Sequence, residues 1–438
     1  MQLKKYKTKN IKSKISLATC SLLQVAAPAA QAAGSDWDID TAFLYYSEGD
    51  GRVQAAEPAV YAGRNLSDEG DRIDLRVVVD VLTGATPNGA HASSVAQTFS
   101  TPSGNSSYTV NPGETPLDDT FKDTRVAVGA DWTVALDRLS KVILGVNASG
   151  EFDYFSLGVS STYLRDFNNR NTTLKAGIAF NSDTITPEGD IPTEFAPMVV
   201  SGNPLNRDGA DDTKTITDFL IGVTQVISRN TIVELNYSLG LTDGYQNDPF
   251  KVVTVVNADG TLADTGIFDA STGNLPYIYE KRPDSRTRNT IFFRTAHHLT
   301  EDVINFSYRY FWDDWGINSH TFDFRYRYQL GSSYLQPHVR YYMQDAADFY
   351  THNLVVGTDV NAATGAVAVN EASNDYRLAE SVTTTLGLKY GVPIGSNSEF
   401  AVRGEFINQS LTEDGVPSGE QTPDLDAVVL QVNYSLVW

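Results

Sequence analysis

The sequence is short of cysteine and lacks long apolar runs, and each scarcity excludes a class of protein. Its only cysteine is Cys20, which lies in a segment that we expect to be removed from the mature protein. A mature chain without cysteine holds neither disulfides nor a thiolate metal site, so we expect no redox chemistry of its own. No run of about 18 apolar residues occurs, and this absence argues against a transmembrane helix.

Basic residues are also scarce. The chain has 33 Lys and Arg against 54 Asp and Glu, which gives a formal net charge of −21. Removal of the N-terminal segment, with its lysines and no acid, makes the mature chain about −27. Nucleic-acid binding requires positive charge that neutralises phosphates, so the sequence predicts no nucleic-acid partner.

The first residues have the pattern of a secretory leader. Six lysines and no acid occur in residues 1–14, an apolar stretch follows over 15–30, and small residues occupy Ala30–Ala33. This order is typical of a cleaved signal peptide, with cleavage expected after Ala32. We therefore predict a signal peptide over 1–32 and one domain over 33–438. An amphipathic helix is the alternative, but it would need charges within the apolar stretch.

Alternation with a period of two is the main structural signal. Over His320–Leu330, aromatic and apolar residues alternate with polar and charged ones, and Val428–Trp438 alternates in the same way. A strand between lipid and a watery lumen requires this pattern. We predict sixteen such strands, an even number typical of bacterial barrels: 36–47, 52–64, 71–82, 123–136, 141–152, 154–165, 171–182, 214–227, 231–243, 286–298, 303–313, 318–330, 333–345, 375–391, 398–411 and 424–438.

Every second connection between these segments is short, and the alternate set includes longer connections. Four of them are long, at 83–122, 183–213, 244–285 and 346–374. Short periplasmic turns and long extracellular loops characterise outer-membrane barrels. The sequence therefore predicts an all-β, transmembrane antiparallel barrel in the outer membrane of a Gram-negative bacterium, in contact with lipid and lipopolysaccharide.

Aromatic residues support this threading. We expect Trp37, Trp132 and Trp438 near the periplasmic ends of strands and Trp312 and Trp315 at the outer rim, as two interfacial belts. The C-terminal residues resemble the signal that barrel-assembly machinery recognises, and that machinery is a predicted partner. This signal comprises Val432, Tyr434, Leu436 and Trp438.

Charged residues on the inward face of the strands are predicted to line the lumen. They are Arg72, Asp74, Arg76, Arg288, Arg294, Arg309, Asp323, Arg325, Arg327, Arg340, Arg377, Arg403 and Glu405. If acidic outer loops fold inward, the arginines would face them across a transverse field, which tunes ion selectivity. Alternatively, the arginines pair with nearby carboxylates and maintain the barrel shape.

Catalytic and metal-binding patterns are weak. Ser319 and His320 are neighbours in a strand and point to opposite faces, as do Asp313 and Asp314. Acids near glycine at 257–266 could attract calcium, but the spacing lacks the twelve-residue loop with its terminal Glu, and Asp-Gly turns explain it better. We predict no catalytic residue, metal or cofactor, and no enzymatic activity.

Four blocks of sequence resemble an uncharacterised proteobacterial outer-membrane β-barrel family, described as a domain of unknown function. They are Gly84–Ala90, Tyr279–Asp284, Trp315–Thr321 and Pro337–Tyr350. The resemblance covers nearly all of the mature chain and implies a barrel in the outer membrane without an assigned activity. It also implies a periplasmic lipoprotein or a redox-linked protein as a partner.

Two functions follow as hypotheses. The first is a porin-like channel that moves small solutes or ions through a polar lumen. The second is a non-conducting scaffold or receptor whose long acidic loops bind a partner, and a lumen packed with loops would favour it. The sequence leaves the solute, the gating and the oligomeric state open.

Overall fold

The chain forms a closed antiparallel β-barrel of sixteen strands, as the sequence predicts. The structure is a computed structural model that describes residues 37–49, 52–84, 87–93, 96–100, 107–114, 116–117, 122–200, 203–269, 271–412 and 424–437. Each strand pairs with its neighbour in sequence, and the first pairs with the last. The barrel strands are β1 Trp37–Glu48, β2 Gln54–Asn65, β3 Arg72–Thr83, β4 Lys122–Ala135, β5 Ser140–Gly150, β6 Tyr154–Phe167, β7 Thr172–Ile185, β8 Asp212–Ser228, β9 Thr231–Gly244, β10 Ser285–His298, β11 Val303–Asp313, β12 Asn318–Leu330, β13 Ser333–Gln344, β14 Ser381–Ile394, β15 Ser398–Leu411 and β16 Leu425–Val437.

Strand β16 shows how the alternation of residue types produces two different surfaces. Val428 and Leu430 are 54% and 48% exposed, whereas Val429 and Gln431 between them are 2% and 6% exposed. Successive side chains of a strand point to opposite faces, so the exposed apolar set lies outside and the buried, more polar set lies inside. The outer wall of the barrel is therefore apolar, as contact with lipid requires.

The connections at one end of the barrel are all short, and the four long connections are all at the other end. The long ones are 84–121, 186–211, 245–284 and 345–380, and they leave the rim between β3 and β4, β7 and β8, β9 and β10, and β13 and β14. By the usual asymmetry of such barrels, this end is extracellular. In the described part of the chain, no helix is long and apolar enough to cross a membrane.

Strands from three of these long loops pair in a separate four-stranded sheet. Its order is Pro197–Val199, Asn274–Tyr279, Val252–Val256 and Asn353–Val355. The last two strands come from different loops and run parallel, with Val256 beside Val355. We call the described residues of the four long loops the cap.

The cap has its own apolar core. One cluster includes Val253, Val255, Phe268 and Leu354, all 3% exposed or less. A second cluster brings in the remaining loop, 84–121, since Phe99 packs against Tyr277 with their ring centroids 5.3 Å apart. All four loops therefore belong to one folded unit.

The structure corrects the start of β14. The sequence predicts a strand over 375–391, but the strand begins at Ser381, and Tyr376–Leu378 form a short 3₁₀ helix. The Asp375 side chain accepts a hydrogen bond from the Arg377 backbone N–H and so begins this helix. Arg377 consequently belongs to the cap and does not lie on the barrel wall.

The two tryptophans predicted for the outer rim have different positions. Trp312 lies near the outer end of β11, and its ring stacks on that of Tyr310, with centroids 5.2 Å apart. Trp315 is 3% exposed in an apolar cluster with Ala347 and Leu378. The belt prediction is therefore wrong for Trp315, because its ring packs into the base of the cap.

Candidate functional site: the lumen and its cap

The cap crosses the extracellular mouth of the barrel. In a closed ring of sixteen strands, the β1–β2 turn and the loop before β10 lie opposite each other. Arg52 lies in that turn, with its Cζ 5.6 Å from the centroid of the Tyr376 ring. The next side chain along, Asp375, accepts a hydrogen bond from Arg282 Nη2 at 2.7 Å, and Arg282 lies just before β10. This chain of contacts joins opposite edges of the mouth.

A buried ionic network is the centre of these contacts. Arg282 Nε lies 2.7 Å from Glu280 Oε1, and Arg377 contacts both Asp375 and Asp248. Glu280 and Asp375 are 2% and 0% exposed. Removal of one member of an acid–arginine pair in this network would leave the other charge buried without compensation, which is strongly destabilising.

Burial and pairing shift the pKa values of these acids in opposite directions. Burial raises the pKa of Glu280, although Arg282 partly counteracts it. Burial would also raise the pKa of Asp375, but the guanidinium of Arg377, with help from Lys251, holds it well below its ordinary value. The network thus keeps Asp375 charged at its centre.

Lys251 connects loop 84–121 to the same network. Its Nζ donates to the carbonyl oxygen of Pro87 and lies 5.2 Å from the centroid of the Tyr376 ring. Burial lowers the pKa of Lys251, while Asp375 and Asp248 oppose that shift. Another contact joins loop 84–121 directly to loop 345–380, because Asn374 Nδ2 donates to the carbonyl oxygen of Gly89 at 2.8 Å.

Another contact region lies at the base of the cap, around Trp315. Its indole N–H donates to the Ser285 carbonyl oxygen at 2.9 Å, and its carbonyl oxygen accepts from the Asp348 N–H at 2.9 Å. The Phe349 ring packs edge-on against it, 5.1 Å between centroids. Each of the four sequence blocks that carry the family resemblance therefore has described residues in the cap or at its base, while Pro337–Gln344 of the last block lies on β13.

The predicted lumen residues, apart from Arg377, all lie on barrel strands at positions that alternate with lipid-facing apolar side chains. Most of the arginines among them contact carboxylates. The measured pairs are Arg72 with Asp38 at 3.2 Å and Asp74 at 2.8 Å, Arg288 with Asp218 at 3.7 Å, Arg294 with Glu234 at 2.9 Å, Arg325 with Asp323 at 3.1 Å, and Arg403 with Glu405 at 3.5 Å.

Pairing does not fill the lumen at these positions. The side chains of Arg72, Arg294 and Arg325 remain 24%, 26% and 29% exposed. Because they point inward, the exposed fraction faces space inside the barrel. The inner face of the barrel wall thus presents accessible charged side chains. The transverse field between these arginines and acidic loops stays a prediction.

Sequence reasoning missed the residues that complete these pairs. Lys175 Nζ on β7 lies 2.7 Å from Glu234 Oε1 on β9, so Lys175 and Arg294 of β10 share that carboxylate. His338 lies between two acids, with Nε2 2.8 Å from Asp323 and Nδ1 2.9 Å from Glu405. A neutral imidazole has only one N–H, so both contacts can be hydrogen bonds to ionised carboxylates only when the ring is protonated. The alternation of residue types could have identified them, since Lys175 and His338 both occupy inward positions of predicted strands.

The other four predicted lumen arginines have different surroundings. The Arg327 Cζ lies 3.5 Å from the centroid of the Tyr334 ring, and Arg309 lies 5.8 Å from that of Phe311. Arg76 lies on β3 beside Gly129, where an added Cβ would be 2.8 Å from Arg76 Nη2. Arg340 is exposed on the lumen face of β13.

Two groups of acidic residues bear on metal binding, one in a loop of the cap and one at the outer rim of the barrel. The Asn257 N–H donates to the Thr261 carbonyl oxygen at 2.7 Å and Gly260 has φ +85°, which is the turn that the sequence favours over a calcium loop. Three acids at the outer rim, Asp123, Glu151 and Asp153, bring carboxylate oxygens within 4.8 Å of one another. They were not anticipated, because they come from the ends of β4 and β5 and the turn that follows β5.

The two ends of the sequence are only partly described. Val432, Tyr434 and Leu436 lie on the outer face of β16, while Trp438 lies outside the described residues, as does the predicted signal peptide. Recognition by assembly machinery stays a prediction.

Taken together, the strands and loops define a sixteen-stranded β-barrel whose long loops form a cap over a charged lumen. Residues 12–436 match the family model described as "Protein of unknown function (DUF3570)". The chain therefore belongs to that family, as the four sequence blocks predict.

The search of curated proteins gave no match. Among solved structures, a bacterial polysaccharide outer membrane secretin aligns with 92% of this chain and 99% of its own at 9% identity and a TM-score of 0.42. OccK2 (OpdF) of Pseudomonas aeruginosa aligns over 92% and 97% at 8% identity and a TM-score of 0.40. The outer membrane transporter YddB from Escherichia coli aligns over 85% of this chain but 52% of its own, at 9% identity and a TM-score of 0.38.

Proposed function

We propose that this protein is an outer-membrane channel for small polar solutes whose external mouth is closed by the cap. The contacts from Arg52 through Tyr376 and Asp375 to Arg282 carry this proposal, because they link opposite edges of the mouth. The exposed lumen arginines support a polar path beneath the cap. The cap would then have to move or loosen before solutes pass.

The alternative is a non-conducting scaffold or receptor. The observation that favours it is the folded state of the cap, whose own apolar core gives a defined surface toward the outside of the cell. On this view the lumen charges only hold the barrel together. The periplasmic lipoprotein or redox partner that the resemblance implies would suit either function.

Conductance in planar bilayers separates the two functions. We expect the wild-type barrel to be closed most of the time with brief openings. Asp375→Asn removes the buried charge between Arg282 and Arg377, so it should loosen the cap and raise the open fraction. Asp269→Asn, which changes an acid at an exposed turn of the cap, is the matched control and should behave like wild type.

Two results would contradict the proposal. A wild-type barrel with a steady, large conductance would show that the cap does not close the mouth. Absence of conductance in both wild type and Asp375→Asn, with the cap shown to be loosened by proteolysis, would favour the scaffold or receptor.

A further inference from the structure

One part of the lumen wall has cations without ionic partners. Arg327 lies on β12 and Lys389 on β14, and among the described residues neither forms an ion pair with a carboxylate. Most other predicted lumen arginines have such a partner. Both positions are near the short-turn end of their strands, on the side away from the cap.

The register places further positive charge at the same level. Lys389 lies directly opposite Arg403 of β15 in the strand pairing, and both side chains point inward. The charged neighbours of Lys389 are Arg327, Arg403 and Arg325, against the single carboxylate of Glu399. Like charges placed directly opposite each other in a sheet are destabilising, so fold stability does not account for this arrangement.

Arg403 is only partly compensated. Its Nε lies 3.5 Å from Glu405 and its Nη2 donates to Gln431 Oε1, but Glu405 also accepts from His338. The carboxylates nearby are thus already shared, and the group of Arg327, Lys389 and Arg403 keeps an excess of positive charge.

Arg327 is held in a fixed position by a built platform. Its guanidinium stacks on the Tyr334 ring, which is 2% exposed. The Tyr334 hydroxyl donates to Glu399 Oε1 at 2.7 Å. The ring also lies against Gly391, where an added Cβ would come within 2.2 Å of it. A guanidinium stacked in this way keeps its N–H edge available for a carboxylate or a phosphate.

We propose that Arg327, Lys389 and Arg403 form a binding subsite in the lumen for small anions that carry a carboxylate or phosphate group. The subsite rests on the proposed function, because it names the solute class that the lumen would favour. Arg327 and Lys389 lie near the short-turn end, away from the cap, so we expect that binding does not require the cap to open.

Calorimetric titration of the refolded barrel in zwitterionic detergent with succinate and with inorganic phosphate tests the subsite. We expect saturable binding of at least one of these anions. Arg327→Gln and Lys389→Gln should each weaken it about tenfold, since each removes one charge-assisted contact. Lys389→Gln also removes a repulsion, so the barrel should still fold. Arg76→Gln, which changes a lumen arginine on β3, is the matched control and should bind like wild type.

The outcomes distinguish this inference from the channel proposal. Failure of both anions to bind, or equal weakening by Arg76→Gln, would overturn the subsite even if the barrel conducts. Binding that depends on Arg327 and Lys389 in a barrel that never conducts would support the subsite and contradict the channel. Chloride over potassium selectivity in bilayers that is lost in Lys389→Gln would support both.

Discussion

Gly89 shows how one residue allows a loop to join the cap. Its φ is +94°, and a Cβ built there would lie 2.2 Å from the Val252 carbonyl oxygen. Its own carbonyl oxygen accepts from Asn374. Glycine can adopt this positive φ and also lets the Val252 carbonyl oxygen approach the backbone closely. A residue with a Cβ could do neither without strain.

We therefore expect Gly89→Ala to destabilise the attachment of loop 84–121 by about 1–3 kcal/mol or more, from backbone strain alone. Hydrogen exchange should increase in the cap while the barrel strands stay protected. Gly357→Ala is the control, since Gly357 has φ +84° but no atom within 4 Å of an added Cβ. Equal exchange in both variants would mean that the contact with Val252 is unimportant.

Glu151 gives the molecule a dependence on pH. Burial raises its pKa from 4.5 to about 8, and a hydrogen bond with Asp123 adds to the shift. The folded state therefore binds this proton more tightly than the unfolded state does. The resulting stability is complete below the ordinary pKa and is lost as the pH rises through about 8.

Thermal unfolding at about pH 5 and about pH 9 measures this effect. The melting temperature of wild type should fall toward the higher pH, and Glu151→Gln should reduce that fall. Glu301→Gln at an exposed periplasmic turn should leave it unchanged. A variant with the same pH dependence as wild type would rule out Glu151 as its source.

At the scale of elements, we expect the cap core to be sensitive to truncation. Phe268 is 3% exposed among the valines of that core. Phe268→Ala should cost about 3–5 kcal/mol, because the cavity adds to the lost apolar burial. We expect faster proteolysis of the cap and an unchanged barrel. Phe152→Ala, at a phenylalanine that is 77% exposed, should show neither effect.

The barrel strands were predictable from sequence, whereas the cap was not. Alternation within ten residues locates a strand, as it does for β12 and β16, because the lipid and the lumen select opposite residue types. The cap sheet instead depends on contacts between distant loops, as for Val256 and Val355. A local signal existed in the buried run Val252–Val256. Its parallel partner from the other loop, Asn353–Val355, carried no comparable signal.

The lumen site was also predictable only in part. The inward arginines were identified by alternation, and Arg327 and Arg403 are among them. Lys389, Tyr334 and Glu399 were not, because the stacking of Arg327 on Tyr334 and the opposition of Lys389 and Arg403 depend on strand register. Register is fixed by the pairing of whole strands and cannot be read from either strand alone.

At the scale of the whole molecule, closure of the mouth requires the loops to stay joined. Val256→Cys with Val355→Cys should form a disulfide between two loops, since these residues are direct partners in the cap sheet. The only natural cysteine is Cys20, in the predicted leader, so unwanted pairing is not expected. The oxidised variant should open less often in bilayers than the reduced one. An equal frequency of openings in the oxidised and reduced variant would show that separation of these two loops is not what opens the channel.

The parallel pairing of Val252–Val256 with Asn353–Val355 also constrains how the protein is made. The first segment is uncharged and rich in β-branched residues. One of its edges pairs with Asn274–Tyr279 of the same loop, but the other must await a partner in a loop far downstream. Until then it resembles the short, apolar segments that drive amyloid-like association. If the chain is exported as its leader predicts, we expect the free edge of this segment to need shielding until the loop before β14 has folded beside it.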